Sequence, residues 1–196
     1  IAYQTAFLKT YYKEDFIAAT MSTELTNTSK LREFIEELKK LNIEIVKPSI
    51  NKCFSDFRAV ENKIIYGLGA IKNVGFEAIS NIIKDREKNG KFNSFSDLIS
   101  RLNSKDVNKL QLEGLTKAGA FDEFDKDRSK IFNSIPKIIQ QIKSKNEERN
   151  NNQTSLFSNT ENSNDYFQFL NSTPWKQKEL LAEEFNSLGF YISDHP

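Results

Sequence analysis

The spacing of apolar residues in the first 50 positions predicts helices. Over residues 2–21, aromatic and aliphatic side chains recur at a roughly helical interval without proline or glycine, with a break near Lys13. A second helix is predicted to begin where Thr28 or Ser29 can cap it. Its apolar positions share one face: Leu31, Phe34, Ile35, Leu38 and Leu41.

Alternating hydrophobicity follows this helix and predicts short strands. Apolar and polar side chains alternate over residues 43–46, just before Pro48. Residues 57–60 and 63–66 are two short apolar segments on either side of Glu61-Asn62, a pattern typical of a β-hairpin.

The rest of the chain is predicted to be helical, with tight turns. Residues 76–89 form an amphipathic pattern that stops at Gly90, and a second helix is expected from Ser94 or Ser96 to Leu102. Two more are predicted, one from Ser104 to Lys117 and one over residues 127–149, which Pro136 interrupts or restarts.

A polar stretch separates these helices from a last one. Residues 150–172 are rich in Asn, Ser and Thr and are predicted to be a flexible linker. Thr173-Pro174 is expected to start a helix that ends before Gly189 and precedes a strand-like Phe190–Ile192. The pattern therefore predicts a mainly α fold with a small β-hairpin, α+β overall.

Composition excludes some classes of protein. The chain has 28 Lys and Arg against 27 Asp and Glu, and a net charge of +1 excludes a uniformly basic nucleic-acid coat. Residues 1–152 hold 26 basic and 21 acidic side chains, net +5, whereas residues 153–196 hold 2 and 6, net −4. A polyanion is therefore expected to prefer the first part. With no apolar run of about 18 residues and no signal-peptide pattern, we predict a cytoplasmic protein without a membrane partner.

Residues 67–79 carry the most informative motif. A short helix, a turn at Lys72–Gly75 and a helix starting at Phe76 form a helix-hairpin-helix pattern. Backbone N–H groups at such a turn lack intrahelical partners and suit a phosphate oxygen. We expect Asn73, which stands where glycine is usual, to adopt positive φ, and Val74 to point inward. The alternative is a plain turn between two core helices.

A second, degenerate copy of this motif is predicted at residues 107–115. It ends in residues 117–122, and the extension at residues 90–98 resembles the tail of DNA-binding hairpins. Two hairpins would contact both strands of a duplex and bind its backbone geometry rather than its bases.

The segment Gln153-Thr154-Ser155-Leu156-Phe157 places two large apolar residues in a polar linker. A partner's pocket would explain them, and the alternative is that they dock on this protein's own surface.

Four carboxylates are clustered elsewhere in the sequence (Asp122, Glu123, Asp125, Asp127). They lack the glycine and distal Glu of a calcium loop, so we predict no metal site. Cys53 has no cysteine partner and is expected to be a small buried side chain.

Taken in order, five motifs resemble those of the bacterial replicative DNA polymerase III alpha subunits, the C-family polymerases. They are residues 2–9, 67–75, 118–122, the Gln153–Phe157 pentapeptide and residues 188–196. The resemblance implies four regions: the C-terminal part of the fingers (1–50), a tandem helix-hairpin-helix duplex-binding module (51–149), a flexible linker with a clamp-binding peptide (150–172), and a helix and strand leading to an OB-type domain (173–196).

The resemblance also implies site residues. Lys72, Asn73, Val74, Gly75 and Phe76 would face primer-template duplex, and Gln153, Ser155, Leu156 and Phe157 would bind the sliding clamp. The palm carboxylates that hold magnesium would lie upstream, so the segment alone is expected to contain no catalytic residue and to be an inactive part of a polymerase with other replisome partners. The alternatives are a stand-alone, non-enzymatic helix-hairpin-helix DNA-binding protein and a purely structural helical module.

Overall fold

The computed structural model describes residues 2–150 and 167–193. The pentapeptide residues Gln153, Ser155, Leu156 and Phe157 lie outside the described residues.

Three helices form the N-terminal region: α1 (Ala2–Tyr11), α2 (Lys13–Thr23) and α3 (Thr28–Lys40). The predicted break falls at Tyr12. The capping residue of α3 is Asn27 rather than Thr28 or Ser29, since its side-chain oxygen accepts the N–H of Lys30. On the apolar face of α3, Leu31, Ile35 and Leu38 are buried and Phe34 is partly buried. Leu41 lies past the helix end and is 40% exposed.

A small sheet follows, with the strands β1 (Glu44–Val46), β2 (Arg58–Val60) and β3 (Lys63–Ile65). The predicted hairpin is confirmed, and Glu61 and Asn62 both have positive φ (50° and 62°), which matches the right-handed twist of the strands. The sequence did not predict that β1 pairs in parallel with β3, giving the order β1-β3-β2.

The second half begins with a 3-10 turn at Leu68–Ala70 and continues with helices. These are α4 (Phe76–Asn89), α5 (Phe95–Arg101), α6 (Lys109–Lys117), α7 (Arg128–Asn150) and α8 (Gln177–Leu188). The predicted mainly α fold with a small sheet is thus confirmed. The core is contiguous among the described residues, and it extends from α2 to Phe190.

Two predicted helix starts are wrong. The helix α6 begins after Asn108, not at Ser104, because the Asn108 side chain accepts the N–H of Gln111. The helix α8 begins after Lys176, whose N–H is bonded to Glu179 Oε2, while the carbonyl of Thr173 accepts a hydrogen bond from Ser129 Oγ. Thr173 therefore binds α7 instead of starting a helix.

The helix α7 runs through Pro136 without the predicted interruption. A proline inside a helix costs about 3 kcal/mol through its missing N–H and the steric clash of its ring. Four isoleucines on one face of α7 offset this, because each contributes about 1.5–3 kcal/mol when buried. They are Ile131, Ile135, Ile138 and Ile142, all 1% exposed.

The segment after α8 is not the predicted strand. Phe190–Ile192 has no sheet partner among the described residues. The buried carboxylate of Glu184 instead accepts the backbone N–H groups of Ile192 and Ser193, each at 2.9 Å, and lies 3.6 Å from Arg128 Nη1.

Residues 167–172, which the sequence assigned to the flexible linker, are packed against α5 and α7. The rings of Phe167 and Phe169 lie 5.9 and 5.0 Å from that of Phe95. The N–H of Leu170 donates to Ser134 Oγ at 2.8 Å. The C-terminal part of the predicted linker therefore packs against the folded core through its two partly buried phenylalanines.

Candidate nucleic-acid interface

The turn before α4 has the conformation expected of a helix-hairpin-helix. Asn73 has a φ of 64°, and Val74 is only 6% exposed and packs inward. Lys72, Asn73, Gly75 and Phe76 are exposed, and Phe76 retains 47% of its accessible surface. Four of the five predicted DNA-binding residues thus lie on the surface, and the fifth holds the turn in place.

The N-terminus of α4 has no side-chain cap. Gly75 precedes the helix and has extended backbone. The first hydrogen bond of the helix runs from the N–H of Ile79 to the carbonyl of Gly75. Within residues 2–150 and 167–193, no acceptor takes the N–H groups of Phe76, Glu77 or Ala78. These donors and the positive end of the helix dipole suit an anion.

Two backbone N–H groups of the turn donate to carbonyls of this protein, although the sequence predicted that the N–H groups of the turn would be available to a phosphate. The N–H of Lys72 donates to the carbonyl of Ser187 at 3.0 Å, and that of Val74 donates to Ile71 at 3.1 Å. The Lys72 carbonyl also closely approaches Gly114 of α6, where a β carbon would lie 2.7 Å from its oxygen. The turn is therefore supported from behind by α6 and α8.

The second hairpin, formed by α5, residues 102–108 and α6, has the same local plan. Val107 is buried like Val74, and Asn108 precedes α6 as Gly75 precedes α4. However, Asn108 and Gln111 form a capping box: Asn108 Oδ1 accepts the Gln111 N–H at 3.0 Å, and Gln111 Oε1 accepts the Asn108 N–H at 2.7 Å. Its helix start is therefore partly closed to an external anion.

The two hairpins present their helix starts side by side. A β carbon built on Gly75 would be 3.5 Å from Nε2 of Gln111 and would meet no other atom within 4 Å. Three exposed lysines lie within three residues of Gly75 or Asn108 along the chain, at positions 72, 105 and 109. Lys109 Nζ lies 3.7 Å from Glu113 Oε1, a loose ion pair in which the lysine is exposed and the glutamate is partly buried.

The four clustered carboxylates are engaged within the protein. Asp122 binds Arg128 at 2.7 Å, and Glu123 binds Lys52 at 2.8 Å. Burial raises the pKa of Glu123, but hydrogen bonds with Lys52, Asn51 and Ser49 together lower it below its usual range. Asp125 and Asp127 accept nearby backbone N–H groups. No group of three or more metal-binding side chains occurs in the part of the chain that the structure describes.

Comparisons with known proteins define the class. Residues 42–131 match the family described as a helix-hairpin-helix motif, a range that includes both hairpins. The described residues contain no helix long and apolar enough to cross a membrane.

The whole chain is also similar to part of several longer proteins. The whole chain is 41% identical to a part of DNA polymerase III subunit alpha from Borreliella burgdorferi, 39% to that from Campylobacter jejuni and 34% to that from Thermus aquaticus. It spans 16–17% of the length of these proteins. The chain is therefore homologous from end to end to an internal segment of the DNA polymerase III alpha subunits, and the sequence resemblance is confirmed.

Proposed function

We propose that this chain is a segment of a bacterial replicative DNA polymerase, and that its first hairpin binds the backbone of primer-template duplex. The observation that carries the proposal is the uncapped start of α4 at an exposed turn. Three adjacent N–H groups and the helix dipole favour a phosphate there. Lys72 supplies a mobile cation beside them.

Binding of this kind is independent of base sequence. Amide donors and lysines contact phosphates, and phosphate contacts position a protein on DNA without distinguishing bases. A replicative enzyme holding newly made duplex requires contacts of this type, because every sequence must pass through it. The described surface of the first hairpin therefore suits product duplex better than a specific operator.

The activity of the complete enzyme is part of the proposal. The parent would be a DNA-directed DNA polymerase in the bacterial cytoplasm that works with other replisome subunits. Its magnesium ions would be held by palm carboxylates outside these 196 residues, so we expect the isolated chain to be inactive. Magnesium-dependent primer extension by the purified chain would contradict this assignment.

A second binding function is assigned to the pentapeptide. We expect Gln153, Ser155, Leu156 and Phe157 to bind the sliding clamp, since Leu156 and Phe157 are adjacent large apolar residues within an Asn-rich stretch. Burying both side chains would contribute about 3–6 kcal/mol, less the loss of chain entropy, so binding through this peptide alone should be weak.

The duplex proposal is tested by closing the helix start with a side chain. In Gly75→Asp, the carboxylate caps α4 and occupies the place of a phosphate, so duplex affinity should fall about tenfold or more while stability is kept or rises by a few tenths of a kcal/mol. Asn108→Asp is the matched control, because it adds the same charge beside the site but keeps an existing cap. Fluorescence anisotropy with a labelled duplex measures both.

The outcomes separate the alternatives. Equal weakening by both variants would indicate long-range charge alone, and absence of duplex binding by the wild-type chain would favour a structural module. A stand-alone DNA-binding protein would show the same duplex binding. The alignment of this chain with an internal segment of the alpha subunits favours the polymerase instead.

A further inference from the structure

We propose that the side-chain amide of Gln111 donates a hydrogen bond to the same phosphate that the start of α4 binds. The inference rests on the proposed function and assigns a new role to the second hairpin. That hairpin would supply an oriented side-chain donor to the first hairpin's site, in place of a second backbone site of its own.

The capping box fixes the orientation of the Gln111 amide. Its Oε1 accepts the backbone N–H of Asn108 at 2.7 Å, a bond that requires an oxygen at this position because a backbone N–H can only donate. Nε2, with both its hydrogens, must therefore lie on the opposite side of the amide. The first turn of α6 thus fixes the orientation of the Gln111 Nε2 donor before any ligand binds.

The donor lies beside Gly75. The position of a β carbon at Gly75 is 3.5 Å from Nε2, and the residues described here provide no acceptor for Nε2. Because glycine has no side chain, nothing at position 75 covers Nε2 or the first amide groups of α4. One anion in contact with the α4 start can therefore also reach Nε2.

One phosphate can accept hydrogen bonds both from the N–H groups at the α4 start and from Gln111 Nε2. Each non-bridging oxygen of a phosphodiester accepts more than one hydrogen bond, and donors oriented in advance lose little conformational entropy on binding. Asn108 provides the orientation and Gln111 the donor. In this arrangement the capping box of α6 has a binding role in addition to its stabilising one.

Two substitutions at position 111 test the proposal in the full 196-residue chain. Gln111→Glu keeps an acceptor for the Asn108 N–H, and thus the capping box, but removes the donor. Gln111→Met removes both without adding charge. We expect each to weaken binding to a labelled 20-base-pair duplex about tenfold, the size of a lost hydrogen bond to a charged group.

Controls distinguish binding from folding and from charge. Gln140→Met makes the same change at an exposed position of α7, outside both hairpins, so this variant should bind duplex like the wild type. With Gln111→Met, the slope of log affinity against log salt should stay unchanged, because a neutral donor releases no counterion. Circular dichroism checks that each variant unfolds cooperatively.

Each outcome decides between the two proposals. Weakening by Gln111→Glu alone would be a charge effect and would overturn the role of Gln111, as would wild-type affinity in both variants. If the wild-type chain itself bound no duplex, the proposed function would fail instead.

Discussion

Gly75 and Gln111 are neighbours although they belong to different hairpins: a β carbon on Gly75 would be 3.5 Å from Gln111 Nε2. This contact joins the starts of α4 and α6 into one surface. One start has no cap and the other is closed by its own side chains. The two hairpins are therefore similar in fold but unequal in the donors they offer to a ligand.

The charged side chains at this surface should have opposite effects on duplex binding. Lys72→Met removes a cation beside the α4 start, so affinity should fall and the salt slope should become shallower by about 0.9. Glu77→Gln removes the carboxylate in the first turn of α4 and should strengthen binding. Titrations between 50 and 200 mM salt measure both.

Lys40→Met serves as the control, because Lys40 is exposed at the end of α3 and lies outside both hairpins. If it weakened binding as much as Lys72→Met, the effect of Lys72 would come from net charge and not from its position.

The pentapeptide should be required for clamp binding. Leu156→Ala combined with Phe157→Ala removes both apolar anchors, so weak binding to a bacterial sliding clamp should become undetectable by surface plasmon resonance. Duplex binding should be unaffected by this double substitution. If neither the wild-type chain nor the variant binds the clamp, the pentapeptide is only a spacer.

Gly114 should resist replacement by alanine. Within a helix this substitution usually stabilises by about 0.5–1 kcal/mol. Here the new methyl group would lie 2.7 Å from the Lys72 carbonyl oxygen and 3.2 Å from Val74 Cγ2. We therefore expect Gly114→Ala to lower the free energy of unfolding in urea and, by displacing the turn, to weaken duplex binding. A gain in stability would contradict this close approach.

Stability should fall in alkaline solution because of Cys53. Burial raises the pKa of its thiol to about 11 from an ordinary value of 9.0. Between these two values the thiol keeps its proton in the folded protein and loses it in the unfolded chain. The contribution of Cys53 to the free energy of unfolding is therefore complete below pH 9 and declines as the pH rises to about 11. The decline due to Cys53 is at most about 3 kcal/mol.

Urea unfolding at pH 8, 9, 10 and 11 measures this decline, and Cys53→Ala should reduce it. The decline should not disappear, because burial also raises the pKa of Tyr66 and favours its protonated form in the folded state. An equal decline in wild type and variant would exclude Cys53 as a cause.

Local sequence signals predicted the elements whose cause is local. The β2–β3 hairpin follows from Glu61-Asn62 between apolar segments, and the end of α4 at Gly90 follows from its positive φ of 84°. Asn73 and Val74 could be placed for the same reason, since positive φ and inward packing are properties of the turn residues themselves.

Most of the remaining errors come from contacts between residues distant in the sequence. The α6 start is the exception, because the local capping box of Asn108 and Gln111 decides it. At α8, the tertiary hydrogen bond from Ser129 to the Thr173 carbonyl keeps Thr173 from starting the helix. The donor at Gln111 was missed because its position beside Gly75 depends on how two hairpins pack. Its only sequence signal was the capping-box spacing of Asn108 and Gln111, which predicts a helix start and no ligand.

The attachment of residues 167–193 to the hairpins has a consequence for a cleaved chain. Ser187 binds Lys72, Lys117 binds Glu183, and the ring of Phe169 packs on Phe95. A protease cut between residues 151 and 166 should therefore produce two pieces that remain together as a complex. The covalent link across that stretch is then unnecessary for the assembled fold, and the C-terminal piece should rebind the N-terminal one after separation.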